Sequence, residues 1–84
     1  MSRERPTGME IALDEARAAA EAGEVPVGCA ILRGGEALAR AHNRTLRDRD
    51  PTAHAEMLAI REAARALGSE RLVGCDLPEH HAPP

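Results

Sequence analysis

Aromatic side chains are missing altogether: the chain contains no Phe, Tyr or Trp. It therefore lacks the residues that bury roughly 150–250 Å² each, and any interior must be aliphatic. At 84 residues it is one domain at most, near the size where a single core becomes marginal. The large apolar residues are Leu13, Val25, Val27, Ile31, Leu32, Leu38, Met57, Leu58, Ile60, Leu67, Leu72, Val73 and Leu77. They suffice for two helices on a small sheet, as part of something larger. Lysine is missing too, so all 11 basic residues are Arg, and the net charge of −3 excludes a generally basic nucleic-acid coat. Only Arg40, Arg44, Arg47 and Arg49 cluster, outnumbering Asp48 and Asp50; this reads as a solvated loop, with a phosphate contact as the alternative. Two cysteines, Cys29 and Cys75, make no disulfide framework. No apolar run approaches the ~20 residues that span a bilayer. The charged N-terminus has no hydrophobic stretch behind it, so it is no secretory signal. A cytoplasmic location is the expectation.

Residues 1–7 read as a disordered lead. Met9, Leu13, Ala16 and Ala20 recur at helical spacing and predict a helix over residues 8–22, stopped by Gly23. Residues 25–32 form a nearly continuous apolar run of strand character, with Pro26 confined to its start or an edge. Gly34-Gly35 is a two-residue hairpin signal, and 37–41 would be the return strand. Residues 42–50 are polar and turn-rich. Asp50-Pro51 suits a helix start, and Ala53, Met57, Ile60, Ala64 and Leu67 form an apolar face that ends at Gly68. Residues 72–77 predict a third strand, with Pro78 interrupting further pairing. The expected fold is α/β in the order helix-strand-strand-helix-strand, a mixed sheet flanked by helices. The domain would occupy residues 8–77, followed by an aberrant or disordered tail at 78–84.

The chemistry concentrates in Asp50-Pro51-Thr52-Ala53-His54-Ala55-Glu56. A neutral imidazole is a common zinc ligand, and a carboxylate beside metal-bound water can carry its proton. Residues two apart diverge on a regular helix, so this pair converges only at a helix start. Taken alone, His-x-Glu is equally the mark of a capped or solvated helix end.

Two further motifs accompany it: Glu24-Val25-Pro26-Val27-Gly28-Cys29-Ala30-Ile31 and His42-Asn43-Arg44. In wording, order and spacing the three together resemble the bacterial tRNA-specific adenosine deaminase family, within the zinc-dependent cytidine and deoxycytidylate deaminase superfamily. The resemblance runs from about Met9 to Leu77 and covers the N-terminal half of a family catalytic domain. It implies an incomplete cytidine-deaminase-like fold and hydrolytic deamination of adenosine to inosine at the wobble position of tRNA, using zinc-activated water. It further implies His54 as a zinc ligand, Glu56 as the proton shuttle and Asn43 as a substrate contact. For Asn43 a turn-stabilising role is the alternative. Cys29 and Cys75 read as small packing residues. The partner would be a tRNA anticodon loop or a small nucleoside or base, and family members are similar in forming homodimers.

The family pattern continues into Pro-Cys-x-x-Cys, which supplies two thiolate ligands; here the sequence reads Pro78-Glu79-His80-His81-Ala82-Pro83-Pro84. One of the three protein ligands that a catalytic zinc needs is thus in place. The expectation is a truncation or altered reading frame before the second motif, and a chain inactive by itself. Deamination of cytosine, guanine or another nucleoside is one alternative, and a non-catalytic remnant without metal is another.

Overall fold

The structure, a computed structural model, describes residues 7–68 and 72–81. The element order is α1 (Gly8–Glu21), β1 (Val27–Arg33), β2 (Glu36–His42), α2 (Ala55–Leu67), β3 (Cys75–Asp76) and β4 (Glu79–His81). This is the expected order with one strand added. The lead expected at residues 1–7 falls mostly outside the described residues. Thr7 caps α1, its hydroxyl accepting from the Glu10 amide at 3.1 Å.

β1 is the central strand. It pairs with β2 on one side and with β3 and β4 on the other, antiparallel each time. The mixed sheet expected from sequence is therefore corrected to an antiparallel one. β2 and β3 do run in the same direction, joined by the α2 crossover, but β1 lies between them and opposes both. Gly34 and Gly35 close the β1–β2 hairpin with φ of 59° and 81°, a conformation in which glycine carries no Cβ penalty.

Pro78 does not end the pairing, and Glu79–His81 form a strand within the segment expected as an aberrant or disordered tail. Proline lacks an N–H but keeps its carbonyl, and that carbonyl accepts from the Ala30 amide at 3.1 Å. Pairing then resumes with Val27, Gly28 and Cys29 opposite His81, His80 and Glu79.

Helices cover both faces, which explains the unbroken apolar run of β1. Val27, Cys29 and Ile31 pack with Ala39 and with Ala55, Ala59 and Ala63 of α2. On the other face, Ala30 and Leu32 pack with Ile11 of α1. Alternate residues thus serve alternate helices, the period-two signature of a strand.

The interior is built largely from alanine. Ala12, Ala16 and Ala19 are buried on α1, and Ala55, Ala59 and Ala63 on α2. Met57 of the predicted α2 face is exposed instead, as are Val25, Val73 and Leu77 from the expected core. Small residues three or four apart let the helix axis approach the sheet, and bulkier neighbours are displaced to the flanks. No helix among the described residues is long and apolar enough to cross a membrane.

Candidate active site

The His54–Glu56 pair sits at the N-terminus of α2, but the helix starts later than Asp50-Pro51 suggested. Asp50 Oδ1 accepts from the Thr52 amide at 2.8 Å and from its hydroxyl at 2.7 Å, making a local turn instead of a helix cap. These bonds hold the Asp50 carboxyl below its ordinary range. His54 is the N-cap residue in extended conformation, with φ −81° and ψ 150°, and its side chain makes no capping bond. It is exposed, while Glu56, within the first turn, is half-buried.

The capping group comes from Asn43, which is only 4% exposed; its Oδ1 accepts from the Ala55 amide at 2.8 Å. The backbone of the same segment is fixed on both sides. Asn43 N donates to Val27 O at 3.1 Å, and Arg44 N donates to Ala53 O at 2.9 Å. One carboxamide oxygen thereby satisfies a helix-end amide and sets where His54 and Glu56 project. The turn-stabilising alternative for Asn43 takes the form of a helix cap reaching across 12 residues.

Glu24 is a second buried polar group, 6% exposed, to which the sequence assigned no role. Its two oxygens accept from consecutive amides, Leu46 at 3.0 Å and Arg47 at 2.8 Å. The bond to Leu46, followed by that to Arg47, holds the Glu24 carboxyl below its ordinary range. The only hint in sequence was an acidic residue directly before an apolar strand.

Glu79 of β4 reaches Glu56, a contact that no sequence signal announced. Their hydrogen bond, followed by burial, raises the Glu56 carboxyl above its ordinary range. The same bond lowers Glu79, aided by His81, whose Nε2 lies 2.9 Å from Glu79 Oε2. The other Glu79 oxygen is buried and has no hydrogen-bond partner among the described residues.

Cys29 lies fully buried in the core, and its thiol is pushed up to about 12, by burial first and then by the Glu79 and Glu56 carboxylates. It packs as a protonated thiol and not as a thiolate ligand. Cys75 is half-buried and packs against the same core. Among the described residues, no group of three or more His, Cys, Asp or Glu side chains could hold a metal ion. The described residues therefore do not by themselves form the three-ligand set of a catalytic zinc around His54.

A family model for the cytidine and deoxycytidylate deaminase zinc-binding region matches residues 2–83. The tRNA-specific adenosine deaminase of Aquifex aeolicus (strain VF5) is 54% identical over 69 residues, 82% of this chain and 46% of that protein. A structure from studies of A-to-I editing by tRNA:A34 deaminases at the wobble position superimposes with a TM-score of 0.82 at 51% identity. It covers 86% of this chain and 55% of that one. Guanine deaminase from Bacillus subtilis superimposes with a TM-score of 0.81 at 34% identity, covering 92% and 50% respectively. The chain spans about half the length of the relatives it matches. With nearly its whole length matched and close relatives at half identity, the chain belongs to the cytidine and deoxycytidylate deaminase zinc-binding family.

Proposed function

We propose that this chain is the N-terminal part of a hydrolytic deaminase that converts adenosine to inosine at the wobble position of tRNA. The observation that carries the reading is the Asn43 cap. A buried carboxamide fixes the first turn of α2 and so presents an imidazole and a carboxyl from one helix end. Identity near 50% to tRNA-specific adenosine deaminases supports adenosine in tRNA as the substrate.

In the reaction, water oxygen bonds to C6 of the adenine ring as the C6–N bond breaks. Of the two water protons, one reaches N1 and the other the leaving amine, which departs as ammonia. Glu56 is the group assigned to carry them. A carboxyl held above its ordinary range, as Glu56 is, exchanges its proton nearer neutrality, as a proton carrier requires. Asn43, its oxygen committed to Ala55, would offer its amide nitrogen to the substrate as a donor. His54 is assigned as one zinc ligand. The described residues do not complete that ligand set.

The test joins residues 1–77 to a family C-terminal half that carries Pro-Cys-x-x-Cys. The chimaera should bind zinc and form inosine from a tRNA anticodon stem-loop, whereas the 84-residue chain alone should do neither. In the chimaera, Glu56→Gln should keep the metal and lower turnover about 10²–10⁴-fold, because an amide cannot accept the water's proton. His54→Ala should lose both. Full turnover in Glu56→Gln would end the proton-carrier assignment. The fold shared with guanine deaminase makes guanine the second substrate to assay; ammonia released from guanine but not from the stem-loop would replace the tRNA reading.

A further inference from the structure

Glu15 of α1 belongs to none of the three motifs, yet its carboxylate reaches the strand that leads into the site. Its Oε1 lies 2.8 Å from His42 Nδ1, and its Oε2 accepts from Arg40 Nε at 2.6 Å. With a partner on each oxygen the carboxylate plane is fixed, where a single bond would leave it free to turn. The contact is sheltered, for the Glu15 side chain is 15% exposed and that of His42 21%. It is also long in sequence. The Arg44–Asp48 and His81–Glu79 pairs join residues four and two apart, whereas Glu15 spans 25 and 27 residues.

Gly28 makes the reach possible. It pairs with His42, and Ala30 pairs with Arg40, so both β2 side chains stand on the face that α1 covers. A Cβ at Gly28 would lie 2.8 Å from Glu15 Cβ. The Glu15 stem thus occupies the space that a side chain at 28 would need, and delivers its carboxylate beside His42.

His42 directly precedes Asn43. Successive side chains of an extended chain take opposite faces, so His42 is tied to α1 while Asn43 turns to α2 and caps it at Ala55. Among the described residues β2 is an edge strand, paired with β1 alone. The bond from Asn43 N to Val27 O acts within the sheet, whereas Glu15 holds the strand end from the face above. The tolerance is small. The Asn43–Ala55 bond measures 2.8 Å, and a displacement of about 0.5 Å takes it past the roughly 2.7–3.2 Å of a good N–H···O bond. We propose that Glu15 is a positioning residue of the site: by holding His42 against α1 it sets the height of Asn43, and through the Asn43 cap the direction in which His54 and Glu56 leave α2. Glu15 touches no reacting group and acts through His42; the chemistry it serves is taken from the deaminase reading.

Amide hydrogen exchange of the full chain, followed by NMR, reads the cap without metal or turnover. Glu15→Ala should speed exchange at Ala55 about fivefold relative to Ala63, further along α2, as expected for a helix cap of typical strength. His42→Ala should do the same, and Glu15→Ala should add little in that background. His42→Asn, whose side-chain Nδ2 can stand where the imidazole Nδ1 does, should restore most of the protection. If Glu15→Ala fails to fold, the two His42 variants carry the test. Equal acceleration at Ala55 and Ala63, unaltered exchange at Ala55 in natively folded variants, or additive effects of Glu15→Ala and His42→Ala overturns the proposal. In the chimaera, Glu15→Ala should lower kcat several-fold with zinc retained. A parent chimaera that forms no inosine sinks the deaminase reading, while the exchange pattern still decides whether Glu15 holds the cap. Inosine formed at the parent kcat by Glu15→Ala sinks the positioning role and leaves the reading.

Discussion

Replacing Gly28 by alanine adds one methyl group where α1 lies tight against β1. Gly28 lies in the middle of the sheet, between His42 of β2 and His80 of β4. A Cβ there would meet Ala12 O, Ala16 N and Glu15 Cβ, all inside the 3.0 Å that Cβ atoms essentially never cross. Two of the three obstacles are α1 backbone atoms, which cannot rotate aside, so the helix must move as a body. That movement opens the packing of Ala12, Ala16 and Ala19, each 0% exposed. Overpacking of a core costs about 1–3 kcal/mol, and a clash with backbone belongs at the upper end. An 84-residue domain has roughly 4–13 kcal/mol in all, at about 0.05–0.15 kcal/mol per residue. A loss of about 3 kcal/mol therefore lowers Tm by roughly 12–24 °C, at about 4–8 °C per kcal/mol. Urea titration and thermal melting should both register the change, with the urea m-value unaltered. An unfolding midpoint within error of the parent would refute the close approach of α1 to β1 and, with it, the packing described above.

Other substitutions probe the supports of the site. Asn43→Ala should cost about 1–2 kcal/mol in thermal unfolding through loss of the Ala55 cap, while Asn43→Asp, which keeps an acceptor, should recover most of it. Glu24→Ala should release the 44–49 loop, read as faster tryptic cleavage after Arg44, Arg47 or Arg49 with α1 and α2 still intact; unchanged cleavage would show that the loop is held by other bonds. Burial pushes the Glu15 carboxyl up, but hydrogen bonds from His42 and Arg40 outweigh it and hold Glu15 below its ordinary value of 4.5. Its stabilising contribution is thus present above that value and lost as pH falls through the lowered one. Glu15→Gln should accordingly destabilise at neutral pH, with the two unfolding curves converging in acid.

The parts of the fold that announce themselves in sequence are those set by near neighbours. Gly34-Gly35 marked the hairpin because only its two residues decide the turn, and β1 stood out because both its faces are covered. Asp50-Pro51 misled because Asp50 found a nearer partner in Thr52, leaving α2 to be capped by Asn43 from 12 residues away. The predicted helix faces were right at Ala16, Ala53 and Ile60 and erred elsewhere for a related reason. Following the large side chains picked Met57 and Leu67, whereas the interior selects Ala55, Ala59 and Ala63. In a chain without aromatics, alanines spaced by four were the more informative stripe. His54 and Glu56 could be singled out from their types and spacing, but nothing local pointed to Glu24 or Glu79, whose roles exist only once β1 has brought distant segments together.

That dependence joins the core to the chemistry. The alanine stripes and Gly28 let both helices lie close against β1, so the segments between them have little room to vary. Asn43 and Glu24 then act on backbone amides, groups every residue possesses, and so fix the positions of Ala55, Leu46 and Arg47 regardless of the side chains there. What remains variable is what projects from those positions: an exposed imidazole at His54, a carboxyl at Glu56, and a leucine between arginines at 44–47. The Glu56 carboxyl is held above its ordinary range separately, by its hydrogen bond with Glu79 of β4 and then by burial. Geometry at this site therefore comes from the helix-to-sheet contact on β1, and proton affinity from the strand paired alongside it. A change at Glu79 removes the group that raises the Glu56 carboxyl, whereas a change at Gly28 acts first on α1, on the face of β1 opposite α2.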